Sequence, residues 1–177
     1  MSEMQLPEGT VLRTERLGIR RLTTDDAEFM YAIWNDPAFM QYVGDRGIRS
    51  LDASRESIRT GPVEMYRRFG FGLYLVSLHE TGEPIGICGL LKRDALEDVD
   101  LGFAFLPPFR SRGFAFEAAA AVMDYGREVL RLRRIVAITN PENERSARLL
   151  ERLGMSFERM IRMPGEDRDI RLFAWTA

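Results

Sequence analysis

Apolar and polar side chains alternate over the second half of residues 11–22, the period of a half-buried strand. The pattern then turns helical. Phe29, Met30, Ile33 and Trp34 recur on one face after a Thr24-Asp25-Asp26 start, and Asp36-Pro37 ends that run before a short helix through Phe39 and Tyr42. A third helix is expected over residues 51–66. Runs at 71–78, 85–91 and 99–106, the first two joined by a turn at Gly82, predict an antiparallel meander. A helix over 115–130 follows, with Glu117, Asp124 and Glu128 on a wet stripe, and then a strand over 135–139. A helix over 143–153 closes at Gly154, and strands at 155–163 and 170–175 pair across Pro164-Gly165-Glu166-Asp167. The predicted class is α+β, or mixed α/β. No repeat or long linker interrupts the pattern, so a single domain over residues 1–177 is the simplest organisation.

Composition narrows the function. The 177 residues are 45% hydrophobic and 29% charged, enough apolar material for a real core. A net charge of -2 offers no unbalanced Lys/Arg footprint, so no nucleic acid is expected as a partner. Residues 1–7 hold neither a basic segment nor a long apolar one, which predicts no secretory signal, no membrane anchor and a cytoplasmic location. Cys88 is the one cysteine and is expected as filler in a strand; an intrachain disulfide or multi-cysteine metal site has no second thiol. His79, the one histidine, sits beside the Thr81-Gly82 turn, so a Ser-His-Asp triad or histidine-rich metal site finds no support, and no metal is expected.

The candidate chemistry starts where the strand ending near Leu106 meets the helix after Gly113. The first N–H groups of a helix lack partners inside it and point together at an anion beyond its end. In Arg110-Ser111-Arg112-Gly113-Phe114-Ala115, Gly113 permits a backbone closed to other residues, Ala115 lets a diphosphate approach, and two arginines add charge. A strand-to-helix turn with glycine and arginine but no ligand is the alternative. Neither G-x-x-x-x-G-K-[ST] nor G-x-G-x-x-G after the first strand occurs, which removes the main signatures of an NTPase and a dinucleotide enzyme.

In order and spacing these segments resemble the GNAT superfamily of acyl-CoA-dependent N-acetyltransferases. The 110–115 turn matches that family's R/Q-x-x-G-x-G/A pyrophosphate loop, with Glu117-Ala118 after it and Asp100-Leu101-Gly102-Phe103-Ala104-Phe105 before it. Asn140-Pro141-Glu142-Asn143-Glu144-Arg145-Ser146 and Leu149-Leu150-Glu151-Arg152-Leu153-Gly154-Met155 resemble its N-x-x-S...E-K-L-G-F block. Thr14-Glu15-Arg16-Leu17, Trp34-Asn35-Asp36-Pro37 and Met40-Gln41-Tyr42 resemble the branch of the ribosomal-protein N-terminal (alanine/serine) acetyltransferases, whose members also include enzymes for small amines and antibiotics. The resemblance implies a mostly antiparallel twisted sheet, splayed between its fourth and fifth strands and flanked by helices. It implies acetyl-CoA as cosubstrate and an amine acceptor. Separately from the resemblance, the aromatic carboxy-terminal hairpin could serve a homodimer.

The resemblance also implies roles, each with a plainer alternative. Phe103 and Phe105 would offer backbone groups to the pantetheine arm, or only fill core with their rings. The N–H groups from Ser111 through Gly113 and Phe114 to Ala115 would hold the pyrophosphate, while Arg110 and Arg112 contact phosphate or water. Asn143 would reach the pantetheine, cap its helix, or do both. Asp100 would serve as base through water, with Asp98 two residues earlier as substrate-side carboxylate or rival base; a solvated strand end is the alternative. The family's tyrosine acid is replaced by Leu150, leaving Ser146 as the hydroxyl near the sulfur. Trp34 and Tyr42 would line the acceptor cleft, unless they are core. Neutralising a lysine of pKa ~10.4 at neutral pH costs roughly 4 to 5 kcal/mol, against about 1 kcal/mol for an α-amine of pKa ~8. With no strong base in view, a protein or peptide N-terminal α-amine is the expected acceptor, ahead of a small-molecule amine or a non-catalytic acyl-CoA sensor.

Overall fold

In the computed structural model, which describes residues 8–177, the alternating segment near the amino terminus forms two strands rather than one. β1 (Thr10–Arg13) and β2 (Leu17–Arg21) pair antiparallel across a turn closed by Thr14 N–H to Leu17 O at 2.9 Å. The expectations for residues 1–7 lie outside the described residues. Thr23 then caps the helical layer: its hydroxyl accepts from Asp25 N–H while Asp26 accepts from Thr23 N–H. α1 (Ala27–Trp34) ends at Asn35, and α2 (Pro37–Tyr42) starts from Asp36, whose carboxylate accepts from Phe39 N–H at 3.1 Å. α3 (Leu51–Ile58) runs through a π-helical turn, Arg59–Val63, into α4 (Glu64–Phe69). The single helix expected over 51–66 is therefore interrupted at Pro62, which has no N–H for the regular ladder.

The remaining elements are β3 (Leu73–Leu78), β4 (Pro84–Leu91), β5 (Asp100–Phe105), α5 (Phe114–Glu128), β6 (Arg134–Thr139), α6 (Glu144–Arg152), β7 (Ser156–Ile161) and β8 (Ile170–Thr176). All eight strands join one sheet in the order β1-β2-β3-β4-β5-β6-β8-β7, antiparallel everywhere except between β5 and β6. That parallel pair registers at one position, Asp100 opposite Val136, beside a 3.0 Å bond from Val136 N–H to Val99 O. Beyond it the strands part. The splay falls between the fifth and sixth strands because the amino-terminal run supplied two strands instead of one.

Each face of the sheet has its own helices. α5 buries Phe114, Ala118, Val122 and Met123 on the face presenting Cys88, Leu90 and Leu101. At Gly126 the helix lies so close that an added Cβ would stand 2.9 Å from Ile135 Cδ1. α1 and α3 bring Met30, Ile33, Trp34 and Ile58 against Leu75 and Ile87 on the other face. Cys88 is fully buried, and burial holds its thiol above the ordinary range; His79 is partly exposed against Arg13. Among the described residues no helix is long and apolar enough to cross a membrane.

Candidate active site

The turn between β5 and α5 is built for close approach. Ser111 and Gly113 have φ of 61° and 81°, left-handed values that favour glycine and put residues with side chains under strain. The first backbone bond of α5 runs from Glu117 N–H to Gly113 O at 3.1 Å, so the N–H groups of Phe114, Ala115 and Phe116 have no acceptor within the helix. They sit at the positive end of a helix of 15 residues, a cradle for an anion. Gly113 and the small Ala115 both line the adjoining cavity.

A clamp from the amino-terminal hairpin fixes that helix end. Glu117 accepts from the Thr14 hydroxyl at 2.7 Å, Arg16 N–H at 2.9 Å and Arg16 Nε at 2.6 Å. Arg16 also donates to Arg112 O at 3.0 Å and lies 4.3 Å over the Phe114 ring. Burial opposes the charge on Glu117, yet these donors outweigh it and hold its carboxyl below the usual range. Glu117 thus does not belong to a wet stripe with Asp124 and Glu128; partners about a hundred positions away enclose it.

The cavity at the splay has a volume of about 550 Å³. Phe103, Ala104 and Phe105 of β5 form its floor, and Ile33, Ala38, Phe39, Tyr42 and Val43 an apolar wall. Asn143, Arg145, Ser146, Arg148, Leu149 and Arg152 line it from α6 and its cap. Val99 O binds β6 and Leu106 N–H binds Ile85 O, so the alternation of an antiparallel strand turns the backbone groups of Phe103 and Phe105 toward the gap. Arg110 occupies the end of that gap: its Nε donates to Phe105 O at 2.9 Å and its Nη2 to Asp36 at 2.5 Å.

The sequence-predicted residues divide. Phe103, Phe105, Arg110, Ser111, Gly113, Ala115, Asn143, Ser146 and Tyr42 share the cavity. Arg110 is already engaged by Asp36, and Ser111 Oγ accepts from Arg145. Asn143 caps α6 through a 3.2 Å bond from Ser146 N–H while lining the cavity, so cap and wall coincide. Phe114 is 4% exposed and its ring is core, while the Arg112 guanidinium stacks over the Phe109 and Phe114 rings. Trp34 packs in the core with Ile33, and of the two only Ile33 also borders the cavity. Asp98 lies ahead of β5, is paired with Arg134 at 2.9 Å and is not among the residues lining the cavity. Asp100 is fully buried at the closed end of the splay and bound by Arg93 Nε at 3.1 and 3.2 Å. Burial raises its carboxyl above the usual range against the pull of Arg93 and Lys92. It does not line the cavity. Leu150, where an acid would stand, is 1% exposed in the core.

The splay of the sheet, the left-handed loop and the helix amino terminus beside it fall within residues 16–156, which match the family model for the acetyltransferase (GNAT) domain. The chain belongs to the GNAT acetyltransferase family. It is 30% identical to an N-acetyltransferase, p20, of Bacillus licheniformis over 152 residues, 85% of each chain. The fold is shared at lower identity with two solved enzymes of different acceptor. One is the ribosomal-protein-S5-alanine acetyltransferase of Vibrio fischeri (TM-score 0.74, 18% identity, 93% and 95% of the two chains). The other is the spermidine N-acetyltransferase of Vibrio cholerae, solved with CoA and spermine (TM-score 0.75, 19% identity, 92% and 96%). GNAT enzymes transfer acetyl groups from acetyl-CoA, and the loop, the open edge of β5 and the arginines of α6 suit a diphosphate with an extended arm. Asp36 was missed as a wall residue: Asp-Pro reads as a helix stop, which it is, and nothing local announces an ion pair to Arg110. Arg145, Arg148 and Arg152 were missed as well, although their spacing along one helix places them on a single face.

Proposed function

We propose that this GNAT enzyme, acting as one domain over its whole chain, acetylates the α-amine of a protein or peptide amino terminus. The charge of the cavity carries the reading. Its lining holds four arginines, Arg110, Arg145, Arg148 and Arg152, against one carboxylate, Asp36, itself paired with Arg110. Phosphates of the coenzyme can offset the arginines of α6, but little negative charge remains for a polyamine with several ammonium groups. The wall of Ile33, Ala38, Phe39, Tyr42 and Val43 suits instead an apolar side chain beside a single amine. With Asp100 enclosed by Arg93, a less basic α-amine also needs the least help in losing its proton.

The test is thiol release from acetyl-CoA over three acceptors: a peptide with a free amino terminus and no lysine, the same peptide blocked there but carrying lysine, and spermidine. The free amino terminus should give a kcat/KM at least about tenfold above either alternative, the scale of the α-amine's proton advantage. A preference for spermidine or for the blocked peptide would overturn the assignment, and thiol release no faster than hydrolysis with any acceptor would point to a sensor.

A further inference from the structure

An amine approaching this cavity is an ammonium at neutral pH, and the arginines around it repel it. Asp36 is the one carboxylate among the described residues that line the cavity, and its side chain is 7% exposed. Its Oδ2 accepts from Phe39 N–H at 3.1 Å and from Arg110 at 2.5 Å. Its Oδ1 takes no hydrogen bond from the described residues. A partly desolvated carboxylate with one oxygen committed and one left over, on the apolar wall of an otherwise cationic cavity, is suited to a positively charged group.

We propose that Asp36 is the acceptor anchor: Oδ1 receives the ammonium of the incoming amine and holds it beside the open edge of β5, while Oδ2 stays with Arg110 and the start of α2. The geometry also explains why one residue performs both tasks. Capping α2 fixes the carboxylate rigidly, and Arg110, gripping Phe105 O, ties it to the strand along which the gap opens. This rests on amine acetylation, which family membership supplies, and not on which amine is preferred.

The variant Asp36→Asn keeps an oxygen for the Phe39 N–H cap, so the fold is preserved. At saturating acetyl-CoA it should raise KM for a charged amine, measured with the best acceptor of the panel above, by about tenfold or more, with kcat within about threefold, as befits loss of one charge-assisted contact. The KM for O-benzylhydroxylamine, which is uncharged at neutral pH, should stay within about twofold because it has no ammonium to anchor. An unchanged KM in Asp36→Asn, or equal increases for the charged and uncharged acceptors, would overturn the anchor. The ranking of free peptide against spermidine tests the α-amine reading separately, so either idea can fail alone.

Discussion

At its amino end β5 is hydrogen-bonded on both sides, and the carboxylate there, Asp100, is fully buried against Arg93. Four residues on, the same strand keeps a registered neighbour on one side only, and Ala104 and Phe105 look into the cavity. The two ends differ because β6 leaves β5 after Val136. Where both edges are satisfied, a charged side chain is locked by a partner and serves the sheet; where one edge is open, the backbone becomes the binding surface. Place along the strand, more than residue type, sets whether a group is enclosed by a partner or borders the cavity.

The largest effect is expected at the open end. Gly113→Val puts a β-branched residue at φ 81°, with its Cβ about 3.2 Å from the Arg16 guanidinium. Losing two or more charge-assisted bonds should weaken acetyl-CoA at least about 100-fold by calorimetry; unchanged affinity would remove the loop from the site. At the closed end the response should be stability instead. Asp100→Ala leaves Arg93 without its partner and should cost about 3 kcal/mol in denaturant unfolding, the low end for a broken buried pair because Arg93 reaches water. Asp100→Asn should keep kcat for thiol release within about threefold. A hundredfold loss of kcat in a folded Asp100→Asn enzyme would instead make the closed end catalytic and dissolve the comparison.

Smaller effects sharpen it. Thr14→Val removes one bond to Glu117 and should cost about 1 kcal/mol of stability. Because Glu117 is held below its ordinary value, it stabilises the fold above pH 4.5, and that contribution is lost as pH falls through the lower folded value. Melting temperatures taken down to about pH 3 should therefore show a shallower acid-side fall in Glu117→Gln than in the wild type. Ser146→Ala should change kcat by less than about threefold, since a free hydroxyl is a poor acid; a larger loss with unchanged acetyl-CoA affinity would assign Ser146 a proton.

What the sequence disclosed follows the range of the forces involved. Strands, helices and caps rest on neighbours a few positions apart, so the Asn143 cap and the 110–115 loop were legible as local chemistry, and the helix start read at Thr24-Asp25-Asp26 falls one residue after the Thr23 cap. The same residues gain partners that no local pattern contains: Glu117 is held from residues 14 and 16, and Arg110 by Asp36, 74 positions away. Trp34 shows a different limit. Helical spacing put it on the apolar face, and the resemblance put it in the acceptor cleft; it lies in the core beside Ile33, which alone of the two also borders the cavity.

The parting of β5 from β6 also gives acetyl-CoA a place in the architecture if it binds along the gap. Backbone groups of Phe103 face the gap, so a pantetheine arm lying beside them would act as a missing strand. Acetyl-CoA would then raise the melting temperature with the logarithm of its concentration and slow deuterium uptake along β5 and β6, far from the phosphates. The enzyme would in that sense be assembled with its donor, and the supply of acetyl-CoA would become one of the terms that set how stable it is.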